Sequence, residues 1–247
     1  MQSTITLTFG DQAENHVGMQ KIGQMAEHGL SYQDLVDAKV KFEKIQCVCE
    51  LVDMTKNNIP AYLLIVRNAL NKMSCGADQL LEEQNKLKKD TKALMYGRVV
   101  NKIARHNLCF SDQSQEPDYS QGKGTIIAFS NVPHLNELKN RLQQYFDQAT
   151  NLTVEGNYYY DVSKCGISFH GDTERKIVIG VRLGHSMPLH FQWFYKSKPV
   201  GERYKFNLNH GDLYVMSEKA VGFDWKQKTM YTLRHAAGAD KFLEIKL

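Results

Sequence analysis

The sequence predicts an α+β protein in which a mainly helical segment, residues 1–95, precedes a β-rich region, residues 96–247. Three observations carry this reading. Apolar residues recur at spacings of three and four through the first third, as in Leu35, Val36, Val40, Phe42 and Ile45. From Tyr158 onward, short β-type runs alternate with Gly, Pro, Asn and Asp, the pattern of a sandwich or barrel rather than a doubly wound sheet. A chain of 247 residues with 42% hydrophobic content is also long enough to fill a core.

In chain order, residues 4–9 alternate Thr with Ile5, Leu7 and Phe9 and end at Gly10-Asp11, which predicts a strand and a turn. Helices are expected between Ala13 and Met95. One spans 59–73 with Pro60 in its first turn, and a last one is opened by Gly76 and Asp78, with Glu82 and Lys86 spaced as an ion pair. Residues 112–124 are a polar loop. A strand at 125–129 follows, then a helix entered through Pro133 whose Leu135, Leu138, Leu142 and Phe146 form one apolar stripe. Further strands are predicted at 166–170, 176–183, 189–195, 203–208, 213–216 and 230–235.

Composition excludes some classes. No run reaches the roughly 18 apolar residues of a membrane-spanning helix, since the stretch from Ile59 to Leu70 is broken by Pro60 and Arg67. The start, Met1-Gln2-Ser3-Thr4, lacks the features of a secretory signal, and the five cysteines are an odd number without a C-x-x-C pair. A reducing, intracellular setting and no zinc site are therefore expected. A net charge of +4 permits nucleic-acid binding without demanding it. Lys86, Lys88, Lys89, Lys92, Arg98, Lys102 and Arg105 form a basic segment that could follow a phosphate backbone, although a solvated helix face explains it as well.

The chemistry centres on His170-Gly171-Asp172, where a predicted strand runs into a turn. Residues i and i+2 of a strand point to the same side, so an imidazole and a carboxylate converge there. That is two thirds of a 2-His-1-carboxylate triad, which leaves open positions on Fe(II). By itself H-x-D is also an ordinary polar strand end.

The run from Gly166 to Gly184, G-I-S-F-H-G-D-T-E-R-K-I-V-I-G-V-R-L-G, resembles the AlkB-like 2-oxoglutarate and Fe(II)-dependent dioxygenases. In that family an aromatic strand follows, like Phe191-Gln192-Trp193, and then an H-G-D turn, here His210-Gly211-Asp212 before Leu213 to Met216. Asn157-Tyr158-Tyr159 stands where the family has an Asn-x-Tyr that touches the co-substrate, and the run from Lys228 to Arg234 is similar to its terminal R-x-N-L-T-F-R strand. The resemblance covers roughly residues 96–247.

The resemblance implies a double-stranded β-helix, or jelly-roll, with Fe(II) held by His170 and Asp172 and with 2-oxoglutarate as co-substrate. Asn157, Tyr159, Lys228 and Arg234 would bind the co-substrate, Arg234 through its planar guanidinium. Glu174 would face the substrate, or pair with Arg175 or Lys176, and Tyr158, Tyr159 or Trp193 would stack on a base. The implied substrate is an N-alkylated nucleobase in DNA or RNA, single-stranded or flipped out. The alternatives are hydroxylation of a protein or small molecule, and a barrel that lost its metal and serves as a binding module.

The third ligand departs from the pattern, because Gln227 stands where the family has its distal His. Either His235 supplies the ligand and a lysine such as Lys246 binds the co-substrate, or Arg234 keeps that role and Asp224 or a water completes the site, or catalysis is lost. Neighbouring strand residues point to opposite faces, so Arg234 and His235 cannot both face inward without a bulge. Imidazole is the commoner ligand, which favours His235.

Overall fold

Ile5, Leu7 and Phe9 alternate with Thr4, Thr6 and Thr8, yet every residue of β1 (Thr4–Gly10) is buried. The reason is position: β1 lies inside the larger of two sheets and is covered on both faces. The computed structural model describes residues 2–245. After β1 come β2 (Gln12–Glu14), β3 (Lys21–Gly23), α1 (Tyr32–Lys44), β4 (Val48–Asp53), β5 (Tyr62–Arg67), α2 (Ala69–Lys72) and α3 (Ala77–Lys86). The hairpin of β6 (Lys92–Met95) and β7 (Arg98–Asn101) leads to β8 (His106–Ser111), β9 (Ile126–Ala128) and α4 (Pro133–Leu142). The remainder is β10 (Thr153–Tyr159), β11 (Gly166–His170), β12 (Val178–Gly184), β13 (Met187–Tyr195), β14 (Lys198–Leu208), β15 (Leu213–Met216), α5 (Glu218–Val221), β16 (Thr232–Gly238) and α6 (Asp240–Leu243).

The protein is an α+β fold dominated by antiparallel sheet. The larger sheet has the order β4-β5-β15-β12-β1-β10-β8-β9, and the smaller β11-β16-β13-β14. Only the β8–β9 pair in these two sheets is parallel. One face of the larger sheet, with Leu7, Val154, Val181 and Val215, packs on apolar residues of α1, α3 and α4 such as Phe42, Leu80 and Leu138. Its other face, through Leu63, Tyr159, Val178 and Tyr214, meets Leu189, Phe191 and Leu233 of the smaller sheet. The threonines of β1 point into this second layer, where Thr6 and Thr8 line a cavity.

The expectation that residues 1–95 are mainly helical is corrected. They contribute β1, β4 and β5 to the same sheet as β10, β12 and β15, so no structural boundary falls at 95. The expected helix at 59–73 is the strand β5 followed by the single turn α2. The four inner residues of β5 are all buried, so the strand has no polar alternation, and a short apolar run then fits a helix equally well. The last expected helix stops at Lys86. Lys88, Lys89 and Lys92 therefore do not share a helix face, and Lys102 turns inward to Asn15 and Asn107. The helix from Pro133 and the strands 166–170 and 213–216 are found at their expected places. Among the described residues no helix is long and apolar enough to cross a membrane, and the five cysteines are free thiols.

Candidate metal centre

His170 ends β11 and lies directly opposite His235 of β16 in the ladder. An irregularity in pairing between Ile167 and His170 turns the end of β11, as bulges do where a side chain must be re-aimed. The two imidazole rings meet edge-on with centroids 4.4 Å apart. Asp172 Oδ1 lies 3.5 Å from His170 Nε2 and 3.6 Å from His235 Nε2, and the ligand atoms of the three residues all fall within 4.8 Å of one another. Two imidazole nitrogens and one carboxylate oxygen at one point could bind a metal ion.

Surrounding groups hold these atoms ready. His170 Nδ1 lies 2.8 Å from the Ser168 carbonyl. A carbonyl only accepts, so Nδ1 carries the proton and Nε2 presents its lone pair to Asp172. Burial in the cavity wall, together with His235, pushes His170 down to about 3, so its imidazole is neutral and able to ligate at neutral pH. Burial alone would raise the Asp172 carboxyl, but the neighbouring His235, then Arg175 and His170, outweigh it and hold it well below the usual carboxylate range. Arg175, 2% exposed, pairs with Glu155, with Glu174 at 2.8 Å and with Asp172 Oδ2 at 3.7 Å, leaving Oδ1 to the histidines.

The glycine inside the motif is required by close packing. A Cβ on Gly171 would stand 2.1 Å from the Gly222 carbonyl oxygen, and the Asp172 N–H donates to the adjacent Val221 carbonyl at 3.0 Å. Gly171→Ala must therefore push Asp172 away from the histidines. A loss of about 1–3 kcal/mol, the usual effect of overpacking, is expected in denaturant unfolding, with weaker metal retention in a titration of the same variant.

The triad opens onto a cavity of about 520 Å³, within the usual size of a small-molecule site. Of the residues that sequence reasoning assigned to it, Asn157, Tyr159 and Glu174 line this cavity with the triad. Asn157 Oδ1 accepts from Arg105 and from Asn107 Nδ2, and Glu174 is both a cavity residue and the partner of Arg175. Other assignments are corrected. Arg234 lies on the face of β16 opposite His235, its guanidinium over the rings of Phe194 and Trp225. Lys228 is exposed and outside the cavity lining. Tyr158 points into the helical layer, where its hydroxyl donates to Gln84 at 2.6 Å. Trp193 is a core residue whose indole N–H donates to the Met54 carbonyl. Asp224 is held by Lys219 at 2.5 Å and Gln227 is exposed; neither belongs to the metal group. Lys246 lies outside the described residues.

The sequence reading missed Arg182. This β12 residue is 1% exposed, lines the cavity, and has Nε and Nη1 buried with no hydrogen-bond partner among the described residues. Thr6 stands opposite it in the β1–β12 ladder, and its hydroxyl is likewise unpartnered. Burial lowers the Arg182 guanidinium from its ordinary value, the mark of a charge without a counterion. No sequence pattern marks it: it is an arginine within an apolar strand, and only its lack of partners distinguishes it.

No family model matches the chain. It is similar to an uncharacterized protein of Acanthamoeba polyphaga mimivirus, with 47% identity over 252 residues covering 99% of each chain. Identity of that extent along the full length makes this protein a member of the same family as the mimivirus protein.

Proposed function

We propose that this protein is a 2-oxoglutarate- and Fe(II)-dependent dioxygenase of the AlkB-like kind, acting on N-alkylated nucleobases. The observation that carries the reading is the meeting of His170, Asp172 and His235 in one cavity with a buried, unpartnered arginine. Two imidazoles and a carboxylate are the facial donor set of non-haem Fe(II) oxygenases. Arg182 with Thr6 fits the far carboxylate of a dicarboxylate co-substrate, because a buried guanidinium with free N–H groups is a strong two-pronged donor to such a group. It takes the role first expected of Arg234.

The winding of the strands supports a double-stranded β-helix. From β10 to β13 successive strands alternate between the two sheets, a hairpin joins β13 to β14, and β15 and β16 alternate back. One further strand in the larger sheet, between β10 and β12, would complete eight. That slot is filled by β1 from the other end of the chain.

When bound, iron and 2-oxoglutarate would supply O2-dependent hydroxylation of a C–H bond, which on an N-methyl group leads to loss of formaldehyde. The chain's own part is to orient and exclude. Ser168 fixes the His170 tautomer, Arg175 aims Asp172, and the buried Arg182 would neutralise the distal carboxylate. Arg105, which lines the cavity and donates to Asn157, would be the nearest cation for a phosphate of such a substrate.

The test is anaerobic addition of Fe(II) and 2-oxoglutarate, watched by the weak visible charge-transfer band of the chelate. Wild type is expected to form the band, and His170→Ala to lose it. Absence of the band and of iron retention in folded wild type would overturn the reading. With an oligonucleotide carrying N1-methyladenine, formaldehyde is expected in step with succinate; a band without formaldehyde would reject the nucleobase and leave the iron chemistry.

A further inference from the structure

Lys102, the residue after β7, belongs to the basic segment yet turns its ammonium into the fold. Its Nζ donates to the Asn15 carbonyl at 3.2 Å, to Asn15 Oδ1 at 2.6 Å and to Asn107 Oδ1 at 2.9 Å. All three acceptors are neutral amide oxygens. Burial lowers Lys102 to about 8, a shift that the charge of Asp90 opposes and that of Arg105 assists, so the side chain is still an ammonium at neutral pH. A cation withdrawn from water to neutral partners gains little stability, and its place asks for another reason.

The reason lies in what the ammonium holds. With three N–H groups and no lone pair it only donates, so Asn107 turns Oδ1 towards Lys102 and Nδ2 away from it. Asn107, 1% exposed, thereby donates from Nδ2 to Asn157 Oδ1 at 2.9 Å and to Glu155 Oε1 at 3.5 Å. Asn157 Nδ2 donates to the same Glu155 oxygen at 3.0 Å. The other oxygen, Oε2, pairs with Arg175, whose Nε lies 3.7 Å from Asp172 Oδ2. A continuous line of polar groups thus runs from Lys102 to the carboxylate of the triad. Its outer end is fixed as well, because Asn15 Nδ2 donates to Asp90 at 2.7 Å and Asp90 also accepts from Tyr119 and Thr125. Without the ammonium, Asn107 Oδ1 would be buried with no donor, a costly state. The amide would then be free to turn, releasing Asn157 and Glu155 together.

We propose that Lys102 is a positioning residue for the metal centre, holding Asn107 so that Asn157 and Glu155 keep Arg175 against Asp172. This rests on the reading of the triad as a metal site and adds the group that sets its geometry from outside the cavity lining.

The experiment is titration of the full-length, metal-stripped protein with Co(II), whose visible bands report the geometry of its ligands, alongside denaturant unfolding of the metal-free protein. Lys102→Met is expected to bind Co(II) about tenfold more weakly, the lower end of the range for residues that orient ligands, with shifted bands in the loaded protein. Asn107→Leu breaks the same line while Lys102 keeps both oxygens of Asn15, and it should shift the bands in the same way. Wild-type bands in folded, loaded Lys102→Met overturn the proposal whatever the affinity or unfolding midpoint, because a merely structural lysine changes stability and leaves the ligand geometry alone. Shifted bands in Lys102→Met but not in Asn107→Leu overturn the route through Asn107. Should Lys102→Met fail to fold, Asn107→Leu decides by the same criterion. If wild type takes up no Co(II), the metal reading of the triad falls and Lys102 with it; if wild type binds and the variants match it, Lys102 alone is removed.

Discussion

Arg182→Met is expected to weaken 2-oxoglutarate binding severely and, at the same time, to make the protein more stable. The wild-type guanidinium is fully buried with two N–H-bearing nitrogens unpartnered, and desolvating such a group opposes folding. Methionine has similar length and an apolar, adaptable side chain. Even a buried ion pair can be replaced by apolar residues of similar volume at no cost or with a gain of about 1–4 kcal/mol, and a charge without a partner has no Coulomb attraction to lose. Denaturant unfolding should therefore show a higher midpoint without added ligand, and the chelate band should need a far higher 2-oxoglutarate concentration. The wild type should recover stability when 2-oxoglutarate is added, since a ligand that binds only the folded state stabilises it; the variant should not respond. Loss of stability in Arg182→Met, or an unchanged affinity for 2-oxoglutarate, would show that the arginine is structural.

His235→Ala is expected to weaken metal binding by at least about 100-fold. Even changes to residues that only orient ligands reduce affinity by about 10- to 100-fold, and His235 is one of three donors around the point where a metal would sit. Asp224→Asn is the matched comparison, because Asp224 was the competing third ligand. It is bound to Lys219, so the substitution should leave metal affinity unchanged. Titration of both variants with Fe(II) under argon separates the two. Loss in Asp224→Asn with none in His235→Ala would return the third position to Asp224, and equal loss in both would reject His235 as the sole third donor.

The part of the site legible in the sequence is the part that is local. His170 and Asp172 stand two residues apart on one strand end, so chain geometry alone brings them together. His235 could be preferred over Asp224 from donor chemistry, and strand alternation warned that Arg234 and His235 would face apart. The resemblance nevertheless placed Arg234 on the co-substrate, and the alternation prevailed: His235 faces Asp172 while Arg234 covers Phe194 and Trp225. Tyr158 and Tyr159 divide in the same way across β10, one to the helices and one to the cavity.

The sequence by itself determined β1, β11, β15, α4 and the His170-Gly171-Asp172 strand end, because each is specified by residues within one turn or strand of one another, and donor chemistry supplied a first candidate for the third ligand. Only the tertiary structure decided that β1 stands between β10 and β12, that β5 is a strand buried on both faces, and that Arg182 enters the same cavity as the triad. Burial on both faces removes the alternation that marks a strand. The importance of a buried charge, in turn, lies in the partners it lacks, and those are set by residues far away in the chain.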